Sequence, residues 1–231
     1  GALTLTWAHR VNVHSDRYLV VGISMKGDST TYQVSTGDWH PDGGTCSASE
    51  CESLSSRIAE DSTANSGAVR VEIWEKTAPT VGDSGNGYLG TITVTMATST
   101  PFSAGALTFH NVHQTSPSPA AGSNDDASTP KTAAQQTLDG LERDAMFGAL
   151  ATTGVATGVT EISSITEWWI HQTDTGTPDE NDSQGAGATR PFGANYAATV
   201  RWTWTNEEEF AIAAIRIQPP NTPTAVGFLD G

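Results

Sequence analysis

The chain has 231 residues, with 11 Lys and Arg against 26 Asp and Glu, which gives a formal net charge of −15 at pH 7. A nucleic-acid-binding protein needs clustered cations to displace counterions from phosphates, and a protein that docks on anionic lipid needs them too, so this composition argues against both classes. No apolar run reaches the length of a membrane-spanning helix.

Apolar and polar residues alternate along most of the chain, which is the period of a β-strand. The alternation is clearest at Leu3, Leu5 and Trp7, which are separated by threonine. Residues 132–140 give a weak helix signal. In chain order, the predicted strands are residues 3–13, 17–25, 30–36, 69–74, 91–96, 104–113, 144–151, 161–172, 197–205 and 209–217.

The segments between these strands are rich in Gly, Pro, Asp and Ser, which favour turns. Strands joined by such turns, without helical crossovers, indicate an all-β fold, an antiparallel two-sheet sandwich that is jelly-roll-like and has about ten strands. We detect no internal repeat and no dividing linker in the sequence. The expected organisation is one sandwich domain over residues 1–218 and a C-terminal tail over residues 219–231.

Cys46 and Cys51 are the two cysteines of the chain, and they lie in a loop rich in Ser and Gly. A zinc site would need more ligands, because His40 alone does not complete one. The short spacing favours a disulfide over two free thiols, and a disulfide is typical of an oxidising compartment. With the missing initiator Met, this favours an extracellular or cell-surface protein that has lost its signal peptide, rather than a trimmed piece.

The order of segments resembles a β-sandwich module of secreted bacterial and archaeal surface proteins, which often occurs in tandem and mostly has no assigned activity. The matching stretches are WAHRVNVHSDRYLVVGIS, VRVEIWEKTAPTVG with LGTITVTM, SAGALTFHNVHQTSP and VRWTWTNEEEFAIAAIRIQP. The Cys46–Cys51 loop, the acidic loop at 174–185 and the tail depart from this pattern. The resemblance implies a sandwich fold, an extracellular location and a surface or adhesive role, and it supplies no catalytic residues.

The residues that could carry catalysis form no recognisable constellation. Serines occur in no nucleophile elbow, and His110 and His113 are spaced to face opposite sides of a strand. No spacing singles out a pair of carboxylates for glycoside hydrolysis. We therefore expect a protein that is not an enzyme and that requires no cofactor.

Calcium binding is an open alternative, because hard cations prefer clusters of oxygen ligands. The competing interpretation of each acidic cluster is a solvated loop. Asn181 begins an Asn-Asp-Ser sequon, so it is a candidate for glycosylation. The calcium candidates are Asp125, Asp126, Asp179, Glu180 and Asp182.

Seven tryptophans are present. Trp202 and Trp204 share one face of a strand and are expected in the core. Trp168 and Trp169 are adjacent, so in a regular strand one faces inward and the other outward. Trp39 and Trp169 are the expected exposed members, and they are candidates for stacking on sugar rings.

The favoured function is a non-catalytic structural subunit of a surface filament, sheath or tube, in which a terminal strand of one copy inserts into the sheet of a neighbour. The partners are then copies of the same chain. Alternatives are a carbohydrate-binding or adhesive module, whose partners are glycans, and a virion surface or decoration protein. The candidate donor residues are Leu3, Leu5 and Trp7 near the N-terminus, and Val226, Phe228 and Leu229 in the tail.

Overall fold

The structure is a computed structural model that describes residues 2–27, 31–43, 50–62, 69–126, 129–153, 160–161, 166–172, 183–194, 196–220 and 227–229. In these ranges the backbone forms seventeen β-strands and a short 3-10 helix, Ser84–Asn86. No helix of the described ranges is both long enough and apolar enough to cross a membrane. The prediction of an all-β fold is confirmed, with more strands than the ten or so expected.

Threonine, β-branched and aromatic residues in period-two order account for these strands. In β7, for example, Ile92 and Val94 point into a core while Thr93 between them is only half-buried. The strands are β1 Ala2–Arg10, β2 Tyr18–Lys26, β3 Val34–His40, β4 Glu52–Ser53, β5 Ser55–Asp61, β6 Val69–Thr77, β7 Leu89–Thr100, β8 Phe102–His110, β9 Ala120–Asp125, β10 Lys131–Asp139, β11 Ala145–Thr153, β12 Thr160–Glu161, β13 Thr166–Gln172, β14 Ser183–Pro191, β15 Ala197–Glu208, β16 Phe210–Ile217 and β17 Gly227–Leu229.

The strands form four antiparallel sheets stacked in layers. Sheet I has the strand order β1-β7-β3-β4, and sheet II has the order β17-β8-β2-β6-β5. Sheet III has the order β13-β14-β11-β16-β9, and sheet IV has the order β10-β15-β12. Three hydrophobic cores lie between successive layers. The sandwich prediction is therefore confirmed, with four sheets where two were expected.

The two middle sheets are buried on both faces. In β2, Leu19 and Val21 join the core between sheets I and II, while Val20 joins the core between sheets II and III. In β11, Phe147 faces sheet II and Met146 faces sheet IV. A strand covered on both faces reads as a continuous apolar run, which is why residues 17–25 do not alternate.

The two halves of the chain have the same strand topology. We call β1–β8 (residues 2–110) the N-terminal module and β10–β16 (residues 131–217) the C-terminal module. Seven strands of the N-terminal module have a counterpart in the C-terminal module with the corresponding neighbours in its sheet. The counterparts are β10 for β1, β11 for β2, β12 for β3, β13 for β5, β14 for β6, β15 for β7 and β16 for β8. β4 has no counterpart within the described residues.

Irregularities of register match as well, so the correspondence extends to single residues. Between its first two paired positions, the first strand of each module moves by two residues, while its antiparallel partner moves by five. The structure thus corrects the inference that the chain has no internal repeat: the repeat lies in topology and register. The matching pairs are Ala2–Thr100 and Thr4–Thr95 in the N-terminal module, and Lys131–Glu208 and Ala133–Thr203 in the C-terminal module.

The helix predicted at residues 132–140 is wrong, because this segment forms the edge strand β10. Ala134 and Leu138 are buried and Gln136 between them is half-buried, which is the period of a strand. Pairing with β15 and burial against sheet III outweigh the helix propensity of Ala, Gln and Leu.

Six of the described strands were not predicted as strands: β4, β5, β9, β10, β14 and β17. β9 and β14 lie in segments whose Gly, Pro, Asp and Ser content predicts turns. Residues 161–172, predicted as one strand, divide between β12 in sheet IV and β13 in sheet III. Small residues of β9 and β14 pack under larger side chains of neighbouring strands, a tertiary requirement that local composition does not show.

Candidate functional site

One edge of sheet II is only partly paired. β8 pairs along its length with β2, but on its other side β17 pairs only with residues 108–110. Within the described ranges, no strand pairs with residues 103–107 on that side. In sheet III, β9 covers residues 211–216 on the corresponding side of β16. Among the described residues, the N-terminal module therefore has an open stretch of sheet edge where the C-terminal module has a paired one.

A groove of about 350 Å³ lies against this open edge. It is lined by residues 104–107 of β8, by Trp7, Ala8 and His9 of β1, and by Trp168 and Trp169 of β13. The groove is thus bounded by edge strands of sheets I and III. None of the lining residues is acidic, Lys or Arg, so the groove offers aromatic surface beside unpaired backbone. We call it the β8 groove.

A bulge in β13 brings both of its tryptophans to the β8 groove. Glu167 pairs with Ala188 and Trp169 pairs with Gly187, so Trp168 is an extra residue in the strand. A bulge interrupts the alternation of side chains between faces. Both tryptophans pack against the core between sheets II and III, and both line the groove. The prediction that one faces inward and the other outward is wrong for this reason.

The indole ring of Trp169 lies between sheets II and III over three glycines. These are Gly22 in β2, Gly105 in β8 and Gly187 in β14, and a Cβ at Gly22 would come within 2.9 Å of the ring. The ring of Phe147 packs beside it, with centroids 5.8 Å apart. Nε1 of Trp169 is buried and makes no hydrogen bond within the described part of the chain. Trp169 therefore seals the base of the groove.

His9 is the titratable side chain that lines the β8 groove. It is 5% exposed, and burial lowers its pKa to about 4, so the ring is neutral at physiological pH. Its Nε2 lies 2.9 Å from Oγ1 of Thr108, and its edge meets Trp39 at a centroid distance of 6.2 Å. An uncharged groove beside unpaired N–H and C=O groups suits an extended peptide, which can add to the sheet as a strand.

The prediction that Trp39 is exposed is wrong. Trp39 is 0% exposed in the core between sheets I and II, and its Nε1 donates to the carbonyl of Thr80 at 2.9 Å. Trp169 is half-buried and lines the groove. Trp202 and Trp204 are buried in the core between sheets III and IV, as predicted.

Both candidate donor segments pair within their own chain. Leu3, Leu5 and Trp7 belong to β1, which pairs with β7. Leu3 is 51% exposed, while Leu5 and Trp7 pack against the core between sheets I and II. Phe228 and Leu229 belong to β17, which pairs with β8.

Asp126 has a structural role. It is fully buried, and its Oδ2 accepts a hydrogen bond from the backbone N–H of Phe210 at 3.3 Å. Asp125 is the last residue of β9. Within the described ranges, no group of three or more His, Cys, Asp or Glu side chains is placed to hold a metal ion.

Cys51 is disulfide-bonded, and the described residues include no free cysteine. The remaining predicted residues fall outside the described ranges. They are Cys46, Asp179, Glu180, Asn181, Asp182 and Val226.

Sequence reasoning did not identify Trp168, His9 and the edge of β8 as parts of one site. The Trp168-Trp169 pair is visible in the sequence, but the bulge that turns both rings to one groove is not. The unpaired length of β8 emerges only from comparison with β16. These features depend on pairing between distant segments.

The chain matches no protein-family model, no curated protein and no solved structure. The resemblance to secreted surface modules stays a prediction. The geometry of the β8 groove and of the strands around it therefore carries the functional interpretation.

Proposed function

We propose that the protein is a non-catalytic structural subunit of an extracellular filament, sheath or tube, in which a strand of one copy pairs with the open edge of β8 in another. The observation that carries this proposal is that residues 103–107 of β8 have one side unpaired by any described strand, whereas β9 pairs with residues 211–216 of the counterpart strand β16. An unpaired edge presents a row of N–H and C=O groups that can template a further strand.

The chemistry of the groove supports a peptide occupant from a like-charged copy. Trp7, Trp168 and Trp169 offer aromatic surface, and no ionised side chain has to be desolvated when a strand enters. Copies with a net charge of −15 repel one another, so assembly is expected to strengthen as salt screens that repulsion. The disulfide-bonded Cys51 supports an oxidising, extracellular setting.

The test is to follow the purified protein by sedimentation and electron microscopy over a range of protein and salt concentrations. The wild type is expected to form ordered assemblies. Ala106→Arg places a charged side chain in the groove and should leave the protein monomeric. Ala97→Arg places the same side chain at an exposed position of β7 outside the groove and should assemble normally.

Two results would count against the proposal. If Ala106→Arg assembles as the wild type does, the edge of β8 is not the contact. If the wild type stays monomeric under every condition, the structural-subunit function is wrong.

Three tryptophans around one groove also favour a second candidate, a carbohydrate-binding or adhesive module. Trp168 is the better residue for testing it, because Trp169 seals the middle core and its loss would disturb the fold. A glycan-array signal that disappears in Trp168→Ala, and persists in Trp204→Phe, would support sugar binding. A protein that assembles but gives no glycan signal would reject it.

A further inference from the structure

We infer that β17 is the strand that copies exchange, so that the C-terminal tail of one copy pairs with β8 of the next. This inference rests on the proposed function of self-assembly. It adds that the donated segment is β17, which enters the edge of β8 at residues 108–110, next to the unpaired stretch 103–107. The internal duplication of the chain supports this inference.

β9 is already a crossing strand within one chain. It follows the N-terminal module in sequence, yet it pairs with β16 of the C-terminal module. It also contacts β5 and β10, which belong to different modules. Ser123 of β9 donates to Glu60 of β5, and Asn124 Nδ2 donates to the carbonyl of Gln135 in β10 at 3.2 Å. The strand that follows the N-terminal module in sequence thus pairs in the sheet of the C-terminal module.

β17 repeats this arrangement in the opposite direction. It follows the C-terminal module and pairs with β8 of the N-terminal module. From His110 to Ala120, and from Ile217 to Gly227, the chain advances by the same ten positions before the crossing strand begins. β17 is therefore the counterpart of β9.

The two crossing strands meet their acceptors in registers that differ by two residues, because β9 begins opposite the seventh residue of β16, whereas β17 begins opposite the ninth residue of β8 and reaches the seventh. Phe102 and Phe210 are the first residues of β8 and β16. The seventh residues of these strands are Thr108, which pairs with Leu229, and Arg216, which pairs with Ala120. Beyond this point β9 continues along β16, whereas residues 103–107 of β8 face the β8 groove.

The recipient of β9 is fixed by the chain, but the recipient of β17 is not. β9 lies between two modules of one polypeptide, so it pairs with the C-terminal module that follows it. β17 needs an N-terminal module, and a second copy offers the same β8 as its own copy does. Exchange of an identical element replaces each pairing with an equivalent one, so it costs little.

The connection to β17 and the extent of its pairing both suit exchange. Pro219 and Pro220 follow β16, and without an N–H they cannot extend its ladder, so the chain leaves sheet III there. Within the described residues β17 pairs over three positions, whereas β9 pairs over six, so fewer described backbone pairings hold β17 in its own copy.

The same comparison argues against the N-terminal segment as the donor. The counterpart of β1 is β10, a strand in the middle of the chain with the same irregular register. β1 is thus an integral strand of its module. Donation of β17 in one direction produces a head-to-tail contact, which propagates into a filament when it does not close on itself.

The test is a cross-link between His110 and Gly227, which face each other across β8 and β17. One preparation carries only His110→Cys and another carries only Gly227→Cys, and equal amounts are mixed, assembled and oxidised. A bond between the two substituted positions can form in this mixture only between copies. We expect disulfide-linked dimers in the assembled fraction, and none when either preparation is assembled alone with wild type. The double variant, oxidised as a dilute monomer, should close within one copy.

If assemblies form but the mixture gives no dimers, β17 is not exchanged, and the proposed self-assembly still stands. If no assemblies form, the proposed function itself fails, and the exchange fails with it. A variant lacking residues 221–231 covers the case in which the cysteine variants do not fold. It keeps β8 but has no strand to donate, so small amounts should shorten wild-type filaments by capping them. Filaments of unchanged length would overturn the inference.

Discussion

The indole ring of Trp169 lies against the backbone of Gly187, in the space that a Cβ on the neighbouring strand would occupy. This contact explains why a central strand of sheet III has the sequence SQGAGATRP, which resembles a loop. It also joins the middle core to the β8 groove, because the same ring contributes to both.

We expect Gly187→Ala to lower the free energy of unfolding by about 1–3 kcal/mol, the usual cost of overpacking a filled core. The added methyl group would overlap the ring of Trp169, which is wedged between two sheets and has little room to move. Urea unfolding measures the effect. Gly193→Ala is the matched control, since a Cβ there meets no atom within 4 Å. Equal stability of Gly187→Ala and Gly193→Ala would show that the ring of Trp169 does not fill the space beside Gly187.

His9 should make stability depend on pH. Burial lowers its pKa in the folded protein from 6.5 to about 4, so over this range the unfolded chain binds a proton that the folded protein does not. Stability is therefore complete above about pH 6.5 and falls as the pH drops towards about 4, by roughly 3 kcal/mol at most from this group. We expect His9→Gln to lose less stability over the same range. Urea unfolding at several pH values tests this, and parallel curves for the two proteins would refute it.

The buried ion pair of Arg70 and Glu72 should behave as a coupled unit. Arg70 Nε lies 2.7 Å from Glu72 Oε1, and Trp74 Nε1 donates to Glu72 Oε2 at 2.7 Å. Arg70→Met leaves a buried carboxylate without its cation, at an expected cost of about 3–5 kcal/mol. Arg70→Met combined with Glu72→Gln should cost less than the sum of the single changes. A double-mutant cycle by chemical unfolding provides the measurement, and strict additivity would show that the pair is not coupled.

Asp126→Ala should lower the free energy of unfolding by about 1–3 kcal/mol, because it leaves the buried N–H of Phe210 without its carboxylate partner. The loss should be the same in EDTA and in millimolar calcium if the role of Asp126 is structural. Thermal unfolding in both buffers decides this. If the effect of the substitution appears only with calcium, Asp126 is a calcium ligand instead.

Strong period-two patterns were sufficient to predict the all-β fold. The alternation of Ile92, Val94 and Met96 places β7 correctly, and the dense apolar run of β2 indicates burial on both faces. β10 and β14 were not predicted as strands, because contacts with distant strands determine which residues they contain. Local sequence carries little information of that kind.

The candidate site was harder to predict than the fold. Its groove depends on a bulge at Trp168, on the closeness of three separate sheets and on an edge that the described strands leave unpaired in one module only. The internal duplication is hidden because corresponding positions hold different residues: the bulge at Trp168 in β13 has its counterpart at Arg57 in β5. Register reveals the duplication because backbone pairing is independent of side-chain identity.

The middle core is built jointly by the two modules, since β2, β6 and β8 contribute one side and β11 and β16 contribute the other. If one module exposed its inner sheet to water, the inner sheet of the other module would be exposed as well. We therefore expect cooperative, all-or-none unfolding, with equal calorimetric and van't Hoff enthalpies, despite the duplicated architecture. Evolution of one half is then constrained by the other, and neither half is expected to persist as a stable fragment.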